Sequence, residues 1–176
     1  MASLNQAEFE NKQLDINSLP RFTEVEFYPL DTKYLIKLNI LSGIGALIVV
    51  GALIVGYFLM KEYKILILWS AILFLPLFLW LIYRNFELQK RNGYAIRERD
   101  IIFKRGFLHE KITIVPFNRV QHVSARKDLL DKFLGISSLT IFSAGGSASD
   151  VTISGLLARN AEVLKEAISK RVSSNE

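Results

Sequence analysis

The chain has 176 residues and no cysteine, which excludes disulfides, thiol catalysis and cysteine-ligated metal. Its two histidines, His109 and His122, argue against a histidine-rich metal site. The net charge of +5 is uneven: residues 1–37 carry −2, residues 84–132 carry +6 and residues 133–176 are neutral.

Residues 1–33 read as a polar arm with no sustained period. No basic-then-apolar stretch ending in a small-residue cleavage site opens the chain, so no cleavable signal peptide is expected. Leu19-Pro20 and Tyr28-Pro29 disfavour a long helix, because the residue before proline avoids the helical region. The arm is expected to lie on the membrane or the domain through Phe22, Phe27 and Tyr28.

Residues 34–84 organise the rest. Residues 38–60 and 65–83 are two uncharged runs of 23 and 19 residues, joined by Lys61-Glu62-Tyr63-Lys64. A span needs ~20 apolar residues to cover ~30 Å of hydrocarbon, so each run is long enough to cross a bilayer. So short a connector predicts an antiparallel helical hairpin. Ser42, Ala46, Ala52 and Gly56, with Gly43, Gly45 and Gly51, offer small surfaces for close helix approach. Pro76 predicts a kink, and Asn39 is expected at the interface. Neither run holds an acidic or basic side chain, which argues against an ion or proton pathway. Lys33, Lys37, Arg84, Lys90 and Arg91 flank the open end, against Lys61 and Lys64 in the connector. The expected location is therefore the cytoplasmic membrane, with two spans and both termini cytoplasmic.

Residues 85–172 change period. Short β-rich stretches fall at 94–97, 101–105, 111–115, 119–125, 139–143 and 151–154, with 86–91 either a further strand or the helical tail of the second span. Breaks come at Asn92-Gly93, Gly106, Pro116, Gly135, Gly145-Gly146 and Gly155, the pattern of a small sandwich or barrel. Pro116 is expected to start a strand, where a missing donor is tolerated. An amphipathic helix then carries Val163, Leu164, Ala167, Ile168 and Val172 on one face, with Asn160 as its expected cap. Residues 173–176 form a tail. The fold class is membrane-anchored α+β: a two-helix transmembrane hairpin followed by an antiparallel β-barrel capped by a C-terminal helix.

That outline is similar to the pleckstrin-homology (PH) superfold. The run Val115-Pro116-Phe117-Asn118-Arg119-Val120-Gln121-His122-Val123 resembles the signature of the bacterial PH-domain membrane proteins of the YdbS-like family. So do Leu134-Gly135-Ile136-Ser137-Ser138-Leu139-Thr140-Ile141-Phe142-Ser143-Ala144-Gly145-Gly146 and Ile153-Ser154-Gly155-Leu156. Ser143 stands where the family usually has threonine, and the hydroxyl is kept. The resemblance implies a PH-like barrel over 85–172. It also implies a non-enzymatic cell-envelope protein that works beside a larger relative with repeated copies of the domain.

Candidate binding or signature residues are Arg119, Gln121, His122, Lys104, Arg105, Arg126 and Lys127. The first three have a structural alternative, bracing the barrel against residues 126–134. The expected partner is another membrane protein of the same family or a second copy of the chain. A second expectation is anionic lipid, met by Lys90, Arg91, Arg97, Arg99, Lys104, Arg105, Arg126 and Lys127. Acids interleave with the bases in Arg97-Glu98-Arg99-Asp100, which favours non-specific attraction over headgroup recognition and argues against nucleic acid. His122, Ser143 and Asp150 lack the spacing of a nucleophile elbow. No phosphate loop, metal motif or dinucleotide fingerprint is present, so neither an enzyme nor a cofactor is expected.

Overall fold

The computed structural model describes residues 25–145 and 150–173. A two-residue strand, β1 (Tyr28–Pro29), precedes two long helices, α1 (Thr32–Leu59) and α2 (Lys64–Arg91). Asp31 starts α1: its carboxylate accepts the Lys33 N–H at 2.9 Å, satisfying one of the donors left open at a helix start. Its own N–H donates to the Gly155 carbonyl at 2.9 Å, tying the root of the hairpin to the folded domain. A short 3-10 turn at Lys61–Tyr63 joins the helices at the far end.

Both helices are apolar on every side. No residue of α1 is buried, and Leu47 and Leu73 are 75% and 73% exposed. Surface of this kind requires an apolar surrounding. At 28 residues each, with ~1.5 Å per residue, the helices reach about 42 Å, beyond the ~30 Å of a hydrocarbon core. Both are long and apolar enough to cross a membrane. The excess length of α2 lies after Tyr83, so residues 86–91 are its helical tail and not a strand. Pro76 sits inside α2, and the helix continues through it.

Close approach of the helices uses fewer small residues than expected. A Cβ on Gly56 would meet Ile67 at 3.5 Å, whereas one on Gly43, Gly45 or Gly51 would meet nothing within 4 Å. Ser42 contributes through its hydroxyl, as described below.

Strands β2 (Gly93–Ile96), β3 (Asp100–Arg105) and β4 (Lys111–Pro116) form an antiparallel sheet in the order β1-β2-β3-β4. Tyr28 pairs with Tyr94, so the arm before the hairpin supplies the edge strand of a sheet that otherwise lies after it. Phe22, also expected to touch the domain, lies outside the described residues. Strands β5 (Val120–Arg126), β6 (Ile136–Ser143) and β7 (Val151–Leu157) form a second antiparallel sheet. Pro116 ends β4 instead of starting a strand, and a 3-10 turn at Phe117–Arg119 carries the chain from one sheet to the next.

Between β5 and β6 lies the short helix α3 (Leu129–Leu134). Gly135 closes it in the left-handed region at φ +69° and donates to the Asp131 carbonyl. The chain ends in α4 (Ala158–Ser173), which begins two residues before Asn160. The Ala158 N–H donates to the Gly135 carbonyl at 3.1 Å, so the strand before α4 and the end of α3 take the place of the expected side-chain cap. Ala161, Leu164 and Ile168 of α4 join Ile101, Phe103, Phe117, Leu139, Ile141 and Ile153 from both sheets in one core. Burying a large aliphatic side chain contributes ~1.5–3 kcal/mol, and this cluster draws on every strand from β2 to β7.

Candidate functional site

The domain is fastened to the root of the hairpin by polar contacts at the edge of the uncharged runs. Lys37, one residue before the first run, projects from the second turn of α1. Its Nζ lies 2.7 Å from Asp131 Oδ1 and 3.6 Å from Asp128 Oδ2. The side chains of Lys37 and Asp131 are 13% and 2% exposed. The other oxygen of Asp131 accepts the Asp128 N–H at 3.1 Å, so a single carboxylate both orders the start of α3 and clamps α3 to α1. A buried charge requires such pairing.

A second contact binds the helices together. Asn85, buried on α2, donates from Nδ2 to Asn39 Oδ1 at 3.2 Å and to Ser42 Oγ at 3.0 Å, and accepts from Arg84 Nη2 at 3.2 Å. A buried amide of this kind is held by hydrogen-bond partners because leaving it unpaired is costly. One turn further on, Gln89 donates to the Leu30 carbonyl at 3.2 Å. Gly155, at φ +79°, lies under the Tyr34 ring so closely that a Cβ there would fall 2.5 Å from Tyr34 Cγ. The expected break at Gly155 is thus a kink inside β7, fitted to a side chain of α1. On the other flank, Phe107 in the β3–β4 turn packs edge-on against Tyr83 at 5.8 Å, with the Arg91 guanidinium 5.4 Å from its centre.

The seven candidate residues fall into three places. Arg119, Gln121 and His122 are exposed. A register shift between Val120 and His122 turns neighbouring side chains outward together, so these residues do not brace the domain against residues 126–134. Bracing there comes from Asp131 and from Ser137, whose hydroxyl donates to the Arg126 carbonyl at 3.0 Å. His122 lies flat on Phe142, with ring centres 4.1 Å apart, and Thr140 and Thr152 share a hydroxyl hydrogen bond at 3.1 Å. The outer face of the second sheet is therefore polar, aromatic and solvent-exposed.

Lys104 and Arg105 end β3, in the sheet that packs on α2. Lys104 pairs with Glu110 at 3.1 Å. Arg126 ends β5 and Lys127 follows it, beside α1, and they pair with Asp128 at 3.0 Å and Glu162 at 3.1 Å. The two basic pairs thus lie at the ends of strands in different sheets. Arg97 is also engaged, and its two hydrogen bonds to Asp100, at 2.7 and 2.6 Å, raise its guanidinium pKa further. Asp150 accepts the Ser143 backbone N–H at 3.1 Å. Among the described residues, no three His, Asp or Glu side chains gather to hold a metal.

Sequence reasoning missed the clamp. Its signal was present in the isolated Asn85 just past the second run and in Asp128-Leu129-Leu130-Asp131, where the two acids sit three apart around a short helix.

A protein-family model described as Bacterial PH domain matches residues 37–172, and the chain belongs to that family. The match runs from within α1 through α2 and strands β2 to β7 into α4. No curated protein and no solved structure matches the chain.

Proposed function

We propose that this bacterial PH-domain protein is a non-enzymatic interaction module held at the cytoplasmic face of the inner membrane by its helical hairpin. In this reading it is a subunit of a cell-envelope complex of the YdbS-like kind. Its partner is a larger membrane protein of the same family or a second copy of the chain. The two sheets and α4 act as one bent barrel that presents a binding face. PH domains are typically interaction modules, which favours binding over catalysis.

The observation that carries this reading is the clamp. Lys37, Asp131 and Gly155 fix the domain to the hairpin at the level where the uncharged runs end, and Asn85 ties the two helices together there, while Arg119, Gln121 and His122 are exposed on the second sheet and the turn before it. A domain held this way offers its second sheet to a neighbour at a fixed height and angle. The basic side chains at the hairpin root, Lys33, Lys37, Arg84, Lys90 and Arg91, support a cytoplasmic domain.

The test is crosslinking in native membranes of the full chain tagged at its C-terminus, followed by gentle extraction and mass spectrometry. A reproducible membrane partner, lost on Gln121→Ala/His122→Ala, supports the module. Recovery of the chain alone and only at the mass of a monomer would refute it. Orientation is tested separately, since the chain has no cysteine of its own. Single cysteines at Glu62 and at Glu98 should react with an impermeant maleimide from opposite sides of the membrane.

Binding of anionic lipid by one continuous basic face is less well supported, because Lys104 and Arg105 stand apart from Arg126 and Lys127 and most of these cations are paired within the chain. One place alone favours a lipid.

A further inference from the structure

We propose that the crevice between α1 and α3 is a binding site for one anionic phospholipid of the adjoining leaflet. The inference rests on the reading of the hairpin as membrane-spanning. The crevice has a volume of about 570 Å³, within the ~300–1,000 Å³ range usual for small-ligand sites. Its two walls differ in chemistry. One is apolar: Leu41 of α1 with Leu129 and Leu130 of α3. The other is cationic: Arg126, Lys127 and Lys132, with Lys37 at the back.

Position identifies the occupant. Leu41 lies four residues inside the uncharged run, one helical turn beyond Lys37, and is 48% exposed. Any molecule touching Leu41 and Lys132 together straddles the boundary between hydrocarbon and headgroups. A soluble anion would gain nothing from Leu41 or from Leu129, which is 75% exposed, whereas the first methylenes of a lipid chain would cover both. The Lys37–Asp131 contact holds α3 at that height, so the crevice is preformed.

Charge favours a phosphate. Among the described residues Lys132 has no ion pair. Arg126 is 80% exposed while paired to Asp128, and Lys127 and Glu162 are both solvent-accessible. Exposed pairs of this kind contribute little, ~0–1 kcal/mol, so these cations can turn to a phosphate at small cost. A guanidinium can take two phosphate oxygens at once. Asp128 also lines the crevice and Asp131 stands beside it, but Asp131 is neutralised by Lys37. The net excess is positive. Phe133, one turn after Leu129 and 86% exposed, extends the apolar side of α3 towards the same leaflet.

The experiment uses the full-length chain in nanodiscs of equal parts phosphatidylcholine and phosphatidylglycerol, with retained lipid counted by native mass spectrometry. One phosphatidylglycerol should be retained in preference to phosphatidylcholine. Arg126→Gln/Lys132→Gln should weaken retention about thirtyfold, on ~1 kcal/mol per basic group near an anionic surface. Lys132→Arg alone should keep it. Incorporation with no preference between the two lipids would overturn this proposal and leave the membrane reading standing. Failure to incorporate would overturn both. Release of the bound lipid by millimolar inorganic phosphate would show a plain anion site and overturn the assignment to lipid.

Discussion

Lys37 and Asp131 should behave as a unit, and the two single substitutions should be unequal. Lys37→Met leaves Asp131, 2% exposed, without its cation. Removing one partner of a buried pair costs about 3–5 kcal/mol. Lys37 keeps 13% exposure and Asp128 and solvent lie close by, so we expect somewhat less than that range, about 2–3 kcal/mol. Asp131→Asn is milder. The amide oxygen still accepts the Asp128 N–H, and Lys37 keeps Asp128 at 3.6 Å, so about 1–2 kcal/mol is expected. The double variant Lys37→Met/Asp131→Asn should be less damaged than the sum of the two, because the second change removes the charge that the first had stranded. Unfolding in detergent, followed by near-ultraviolet circular dichroism and read as a double-mutant cycle, should give a coupling of at least ~1 kcal/mol. Strictly additive effects, or Asp131→Asn proving the more damaging single change, would refute the reasoning.

Gly155→Ala should destabilise severely, by more than about 2 kcal/mol, since a Cβ would sit 2.5 Å from Tyr34 Cγ at φ +79°. Gly135→Ala meets only the end of Lys33 at 3.7 Å, so it should lose about 1 kcal/mol from φ alone. Thermal denaturation of the two side by side checks the contrast. Asn85→Leu should loosen the hairpin by about 1–2 kcal/mol, because Asn39 and Ser42 lose the buried donor they share. Greater proteolytic sensitivity of the hairpin root would report it. Burial raises the Tyr94 phenol above its usual 10.0, with Tyr28 adding to the effect. Its contribution to stability is present below pH 10 and is lost as pH rises towards the raised value. The melting temperature should fall over that window, and Tyr94→Phe should flatten the fall.

What the sequence disclosed and what it hid separate by range of interaction. The two runs were legible because each is a local property: an unbroken stretch of apolar residues defines a span wherever it occurs. The strands were legible where alternation is strict, as in Val151-Thr152-Ile153-Ser154, and blurred where a kink intervenes, as at Gly155, whose conformation answers to a tyrosine 121 positions earlier in the chain. The first sheet defied a reading in chain order, because its edge strand comes before the hairpin and the other three after it. The same holds for the clamp. Lys37 looked like one more positive charge beside a span, and Asp131 like one more acid in a loop. Only folding across 94 residues makes them a pair. That pairing bears directly on the function proposed above. A domain joined to its membrane hairpin by a chain connection alone would sample many heights and angles, and a partner would lose affinity to that freedom. Fixing α3 to α1 at the root of the hairpin removes most of it in advance. The face carrying Gln121 and His122 and the crevice below Lys132 are then both presented in one orientation, so a lipid held in the crevice and a protein bound on the sheet would act on the same rigid body.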